Sequence, residues 1–190
     1  MQILAISGSL RSGASNTELL AAAMLLAPPN VEISMYDGLN TLPHFNPDLD
    51  SPDGNTLPEI VSDLRSRIGH ADGIIISCPE YAHGIPGSFK NLLDWLVGST
   101  EFPGKPVALL NTSSMSVHAP AQLIEVLTTM NAHIVPQACF IVPLLGRRLD
   151  AQAIAADPEL SAVLRVAITS FVHAISGMQC HSAPLSVSVP

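Results

Sequence analysis

The sequence predicts an α/β fold, a parallel sheet covered by helices on both faces. Three observations carry this. Short apolar runs rich in β-branched residues recur along the chain. Longer stretches with helical spacing alternate with them, and glycine, proline, serine or asparagine stands at most of the junctions. The composition is 47% hydrophobic and 13% charged, too apolar for disorder and suited to a compact core. At 190 residues, with no repeats and no second-domain signal, 1–190 reads as one domain.

Residues 2–7 (QILAIS) read as a buried strand that stops at Gly8. Residues 16–27 (NTELLAAAMLLA) read as a helix, with Ser15 or Asn16 as N-cap, Glu18 in the first turn and Pro28-Pro29 ending it. The alternating residues 31–36 (VEISMY) form a second strand. Pro43, Pro47, Pro52 and Pro58 forbid regular helix across 37–58; a connection that long inside a compact domain points to a lid or binding loop.

A helix follows at 57–70, with Ile60, Val61, Leu64 and Ile68 on one face. The third strand is 72–77 (DGIIIS), and the next helix is 88–97 after Pro86-Gly87. The fourth strand is 107–111, followed by a helix at 120–130 with Ala121, Ile124 and Leu127 inward. Residues 134–135 and 140–142 are candidates for the fifth strand. The last helix is 158–178, with Pro158 in its first turn. The tail from 179 carries no strong signal. Five strand–helix units match the flavodoxin-like order 2-1-3-4-5 as well as a truncated Rossmann sheet.

The formal charge of −8 and pI of about 5.1 disfavour nucleic acid and anionic lipid as partners. Cys78, Cys139 and Cys180 are odd in number, far apart and in no C-x-x-C pattern. This argues against a disulfide framework or zinc site and suits a reducing cytoplasm. The chain reaches polar Ser7-Gly8-Ser9 too early for a signal peptide, and no uninterrupted apolar run approaches the roughly 20 residues of a membrane span.

Function gathers at two loops. The first, residues 6–17 (ISGSLRSGASNT), joins the first strand to the first helix. Its hydroxyls, its single cation and a helix start suit a phosphate, because the first amides of a helix lack intrahelical partners and lie at the positive end of its dipole. A Walker A loop would need lysine where Ala14 stands, and a dinucleotide fingerprint would need glycine where Leu10 stands. What remains suits the terminal phosphate of a mononucleotide, although a strand–helix turn with a good N-cap explains the same residues.

The second loop, residues 78–91 (CPEYAHGIPGSFKN), follows the third strand. Ligands in open parallel sheets sit beyond the carboxyl ends of the strands, at the point where strand order reverses, so both loops meet at one crevice. Gly84, Pro86 and Gly87 let backbone amides face a flat heterocycle, and Tyr81 can pack on it. A well-placed helix start is the plainer alternative.

Gly8-Ser9-Leu10-Arg11 with Ser15-Asn16-Thr17, then Pro79-Glu80-Tyr81 with Gly84-x-Pro86-Gly87-x-x-Lys90-Asn91 and Asp94-Trp95, resembles the NADPH-dependent FMN reductase family. So does Leu42-Pro43-x-Phe45-Asn46-Pro47-Asp48-Leu49 in the long loop. The resemblance spans roughly the first half of the chain. It implies a flavodoxin-like three-layer sandwich, with a five-stranded parallel sheet of order 2-1-3-4-5 and helices on both faces. It implies FMN as cofactor and NADPH or NADH as donor, with a quinone, azo compound, free flavin or metal oxyanion as acceptor.

The same resemblance implies that Ser9, Arg11, Ser15, Asn16 and Thr17 hold the FMN phosphate. It implies that Pro79, Glu80, Tyr81, His83 and Gly84 line the isoalloxazine ring. It implies a homodimer or homotetramer packed through the helix after Gly87. Two departures stand out. Ala82 occupies the position where the family usually has asparagine, and residues 112–118 (TSSMSVH) lack its usual glycine pair, leaving serine hydroxyls such as that of Ser113 beside the ring.

The chain offers no Ser-His-Asp or metal constellation by spacing, and a flavin reductase needs no side-chain nucleophile. Asp48-x-Asp50 with Glu59 fails as a calcium loop, because Pro52 and Asp53 stand where an oxygen ligand and glycine are required. His83 and His118 are candidates to face the crevice, Cys78 reads as packing, and Trp95 as core or interface. Arg147-Arg148 reads as a solvated pair, with the 2′-phosphate of NADPH as the alternative. The rival to an enzyme is a non-enzymatic FMN-binding electron carrier or interaction protein with a degenerate site.

Overall fold

The computed structural model describes residues 1–51, 56–144 and 146–182, with the backbone alone for 181 and 182. Pro52, Asp53 and the tail from 183 lie outside the described residues. The strands are β1 (Gln2–Ser7), β2 (Glu32–Met35), β3 (Gly73–Ser77), β4 (Pro106–Asn111), β5 (His133–Ile134) and β6 (Phe140–Ile141). The helices are α1 (Ser15–Leu25), α2 (Glu59–His70), α3 (Gly87–Leu96), α4 (His118–Thr129), α5 (Ala151–Ala156) and α6 (Pro158–Ser182). Every strand pairing is parallel, in the order β2-β1-β3-β4-β5, the flavodoxin-like order.

Period-two alternation divides the core. Ile3, Ala5, Ile33, Ile75, Ala108 and Leu110 face α1, α5 and α6, against Leu19, Leu20, Ile154, Leu164, Phe171 and Ile175. Leu4, Ile6, Ile74, Ile76 and Val107 face α2, α3 and α4, against Leu64, Ile68, Phe89, Leu92, Leu93, Leu123 and Leu127. All five residues of β3, the central strand, are buried.

Four expectations change. The fifth strand is split, because a 3-10 turn at Pro136–Ala138 separates β5 from β6 and proline has no N–H for the ladder. The sulfur of Cys139 accepts the Leu109 N–H (3.4 Å) opposite that break. The inward face of α4 is Ala119, Leu123 and Leu127, a stripe spaced i, i+4, i+8; Ala121 and Ile124 lie off that stripe and are exposed. The N-cap of α1 is Ala14 rather than Ser15 or Asn16, with no side-chain cap. Asn16 is instead drawn across to β3, its amide donating to Ser77 Oγ (2.9 Å).

The fourth change is α5, a helix additional to those the sequence predicts. It starts where Asp150 accepts from Ala153 N (2.8 Å). It is held to α1 by Glu18, which accepts from Ala151 N (2.9 Å). The Pro158–Cys180 stretch of α6 is long and apolar enough to cross a membrane, with a mean hydropathy of 1.5. Glu159, Arg165 and His173 interrupt it, and Leu160, Leu164, Ile168, Phe171 and Ile175 form one buried stripe beside the sheet with exposed residues between them, the pattern of an amphipathic helix packed on the sheet.

Candidate functional site

Strands β1 and β3 end side by side, and close backbone approach there sets the crevice. Gly8 N donates to Ser77 O (2.8 Å). A Cβ on Gly8 would lie 2.7 Å from Cys78 Sγ and 3.1 Å from Cys78 Cα, so glycine is required. Burial pushes the Cys78 thiol up to about 12, leaving a neutral packing group as the sequence suggests. The Ser7 and Thr17 hydroxyls meet at 2.7 Å and, with Asn16–Ser77, pin the start of α1 to both strand ends.

The loop between them turns through Gly13 at φ +62°. Ala14 N is taken by Arg11 O, and the first intrahelical bond is Glu18 N to Ala14 O (2.9 Å). The amides of Ser15, Asn16 and Thr17 therefore have no partner among the described residues. The exposed Arg11 makes no ion pair among them either.

A crevice of about 740 Å³ opens at this point. Ser9, Arg11, Ser15, Asn16, Pro79, Tyr81 and Ser113 line it, as does Thr112 from the end of β4. Thr17, Glu80, Ala82, His83 and Gly84 do not line it. Beyond the sequence-predicted residues, Glu18, Leu144, Gly146, Leu149 and Asp150 contribute, and Arg147 and Arg148 join them from the approach to α5. Arg147 is paired with Asp157 (2.7 Å), and Arg148 is exposed.

Residues 81–84 form a tight hairpin, with Tyr81 and Gly84 exchanging both backbone hydrogen bonds at 3.0 Å. Ala82 (φ 49°) and His83 (φ 60°) occupy its two central positions. Such a turn favours Asn-Gly, because a Cβ is disfavoured at positive φ. Ala82→Asn is therefore expected to stabilise the protein by about 0.5–1 kcal/mol, read as a rise in Tm of about 2–3 °C. An unchanged or lower Tm would show that the turn carries no such strain.

Gln122 of α4 braces the hairpin, accepting from Ile85 N (2.8 Å). Glu80 turns away from the crevice and caps α4, accepting from His118 N (2.8 Å) and Ala119 N (2.9 Å). The Ala119 amide is the main cause holding this carboxyl below its ordinary value; partial desolvation opposes it, and the His118 amide assists. Ser113 Oγ accepts from Met115 N (3.0 Å), which folds the glycine-free loop back on itself.

The letters of the second loop that lie on α3 serve the long connection. Asn91 donates to Pro43 O (2.9 Å) and accepts from Phe45 N (2.7 Å). The fully buried Trp95 donates to Pro43 O (2.8 Å) and meets the Phe45 ring edge-on at 5.0 Å, so it is core. Arg65 joins Asp50 (2.7 Å) to the Trp95 carbonyl (2.7 Å).

The model of the NADPH-dependent FMN reductase family matches residues 1–144. A quinone reductase of Escherichia coli K12 is 31% identical over 158 residues, covering 80% of this chain and 82% of its own. An NAD(P)H-dependent FMN reductase of Pseudomonas aeruginosa is 31% identical over 157 residues, with 80% and 83% covered. The solved structure of FerB, a flavoenzyme NAD(P)H:(acceptor) oxidoreductase from Paracoccus denitrificans, superposes with a TM-score of 0.76 at 28% identity, covering 93% and 97%. Arg147, Arg148 and Asp150 lie past the stretch that the family model matches. Alike in sequence along most of two such enzymes and in fold along nearly all of a third, the chain belongs to the NADPH-dependent FMN reductase family.

Proposed function

We propose that the chain is an FMN-dependent NAD(P)H oxidoreductase, working as one domain, that reduces a small-molecule acceptor. One observation carries the reading: an uncapped helix start, the amides of Ser15 and Asn16 and the Arg11 guanidinium, without partners among the described residues, meet at one crevice. That donor set fits a phosphate dianion, and the crevice volume falls within the roughly 300–1,000 Å³ of small-molecule sites. FMN, when bound, would supply the redox chemistry that carries reducing equivalents from NAD(P)H to the acceptor.

The chain's own residues do the placing. Arg11 would neutralise the phosphate while the Ser9 and Ser15 hydroxyls and the amides of residues 15–17 orient it. Pro79, Tyr81, Thr112 and Ser113 would flank the ring, on a wall that the strained turn at Ala82, His83 and Gly84 stiffens. Glu80 acts at one remove by fixing α4 against that wall. The names of the relatives support a quinone among the candidate acceptors, with an azo compound, free flavin or metal oxyanion as the others.

A homodimer or homotetramer in the cytoplasm completes the proposal. The apolar side chains of α3 (Phe89, Leu92, Leu93, Trp95 and Leu96) are buried within the subunit. A contact through that helix would therefore use its polar side, and the exposed Tyr81, Met115 and Val117 offer apolar surface beside the crevice.

The deciding experiment is steady-state NADPH oxidation by FMN-loaded protein with a quinone. Flavin absorbance that co-purifies and a quinone-dependent rate are expected. A protein that retains no FMN and oxidises no NADPH overturns the proposal. One that retains FMN with negligible turnover is a carrier instead.

A further inference from the structure

Outside the crevice, the hairpin and the start of α4 bring together three side chains that the redox reading leaves without a shared task. Glu80 and His83 come from the loop after β3, and His118 is the first residue of α4. Their potential ligand atoms all lie within 4.8 Å of one another. The two imidazoles are exposed and stacked, with centroids 4.1 Å apart and planes 22° from parallel.

Two features hold the group in place. The carboxylate of Glu80 grips the His118 and Ala119 amides through a single oxygen, Oε2. That bond draws α4 onto the hairpin and sets His118 over His83. His83 is itself carried on positive-φ backbone beside Ala82, a conformation that L residues other than glycine rarely adopt. Strain of this kind persists where the surroundings impose it, and it gathers at ligand sites.

We propose that Glu80, His83 and His118 form a binding site for a divalent transition-metal ion of the Zn²⁺ class. Two imidazole nitrogens and one carboxylate oxygen suit Zn²⁺, Co²⁺, Ni²⁺ or Cu²⁺, whereas Ca²⁺ and Mg²⁺ favour all-oxygen shells. Glu80 Oε1 has no hydrogen-bond partner among the described residues and can ligate while the two amides on Oε2 fix the carboxylate from behind, the outer support that metal ligands require.

Both nitrogens can turn toward one ion if the rings fan apart by rotation about χ2. That torsion is broad for histidine, and exposed rings meet no packing barrier. Three protein ligands leave at least one coordination position open to solvent or a small ligand. The ion would bridge the loop after β3 to α4, and because Tyr81 adjoins Glu80, it would stiffen one wall of the crevice. The two histidines lie far apart in sequence and in no metal-binding spacing, so the chain order conceals the set.

The test uses tag-free, FMN-loaded, chelator-treated protein. Calorimetric titration with Zn²⁺ is expected to show one saturable one-to-one event. His83→Asn, which tolerates positive φ, and His118→Gln should each weaken it about tenfold or more, and the double variant should abolish it. Electron paramagnetic resonance of the Cu²⁺ adduct should show coupling to two imidazole nitrogens in the wild type and to one in each single variant. A Zn²⁺-induced rise in Tm should vanish in the double variant, whose metal-free Tm reports that it still folds. Zn²⁺ binding that is absent, or undiminished in the double variant, overturns the site, as does a Cu²⁺ spectrum without two-nitrogen coupling.

Discussion

Trp95→Ala is expected to cost about 3–5 kcal/mol of folding stability, the usual loss for a buried large aromatic truncated in a close-packed core. Trp95 is 0% exposed, and its indole N–H holds the Pro43 carbonyl. At the ordinary sensitivity of a chain this long, the loss reads as a fall in Tm of roughly 10 °C. Trp95→Phe keeps most of the packing, so only about 1–2 kcal/mol should go with the donor.

The loss should also be local in character. Phe45 loses its ring partner, and the carbonyl that Arg65 grips sits on a loosened α3, so the segment from Pro43 to Asp50 should become cleavable by protease first. Thermal unfolding and limited proteolysis check this. If Trp95 were an interface residue instead, the variant would lower the oligomeric state while the Tm of the separated subunit stayed nearly unchanged.

What the sequence shows and what it hides divide along the distance over which each interaction acts. Strands β1, β3 and β4 are legible because a buried parallel strand is an unbroken apolar run, and GIIIS allows little else. The loop after β1 is legible as a strand-to-helix turn because its parts are contiguous. Its actual cap is not, because the destination of the Asn16 amide, Ser77 on β3, is a tertiary fact. The same holds for Glu80, which the family resemblance places at the ring and whose partners at 118 and 119 open α4, a separate element.

The wall at 144 and 146–150 is hidden for a similar reason, apart from Arg147-Arg148, whose charge alone draws attention. It reaches the crevice because α5, a helix of six residues too short for any periodic signal, packs on α1 through Glu18. The long loop carries no α-helix among its described residues, only a 3-10 turn at Pro47–Leu49, yet the path of that part depends on Asn91, Trp95 and Arg65, residues whose spacing suggests only helix.

Arg11→Ala is expected to weaken FMN binding roughly 10- to 100-fold, the loss of about 1.5–3 kcal/mol that a charged hydrogen-bonding partner contributes. The fold should not register the change. The guanidinium is exposed and unpaired among the described residues, so apoprotein stability should move by no more than about 0.5 kcal/mol. Arg11→Lys should recover part of the affinity, since it restores the charge without the forked donor geometry.

Riboflavin supplies the decisive control, because it shares the ring and lacks the phosphate. Fluorescence titration of apoprotein should give FMN a large penalty in the variant and riboflavin almost none, with the FMN penalty shrinking at high salt for an exposed charge. Equal penalties for the two ligands would place Arg11 at the ring. No penalty for either would move the phosphate toward Arg147 and Arg148, which line the same crevice, and the unpaired amides of residues 15–17 would then need another occupant.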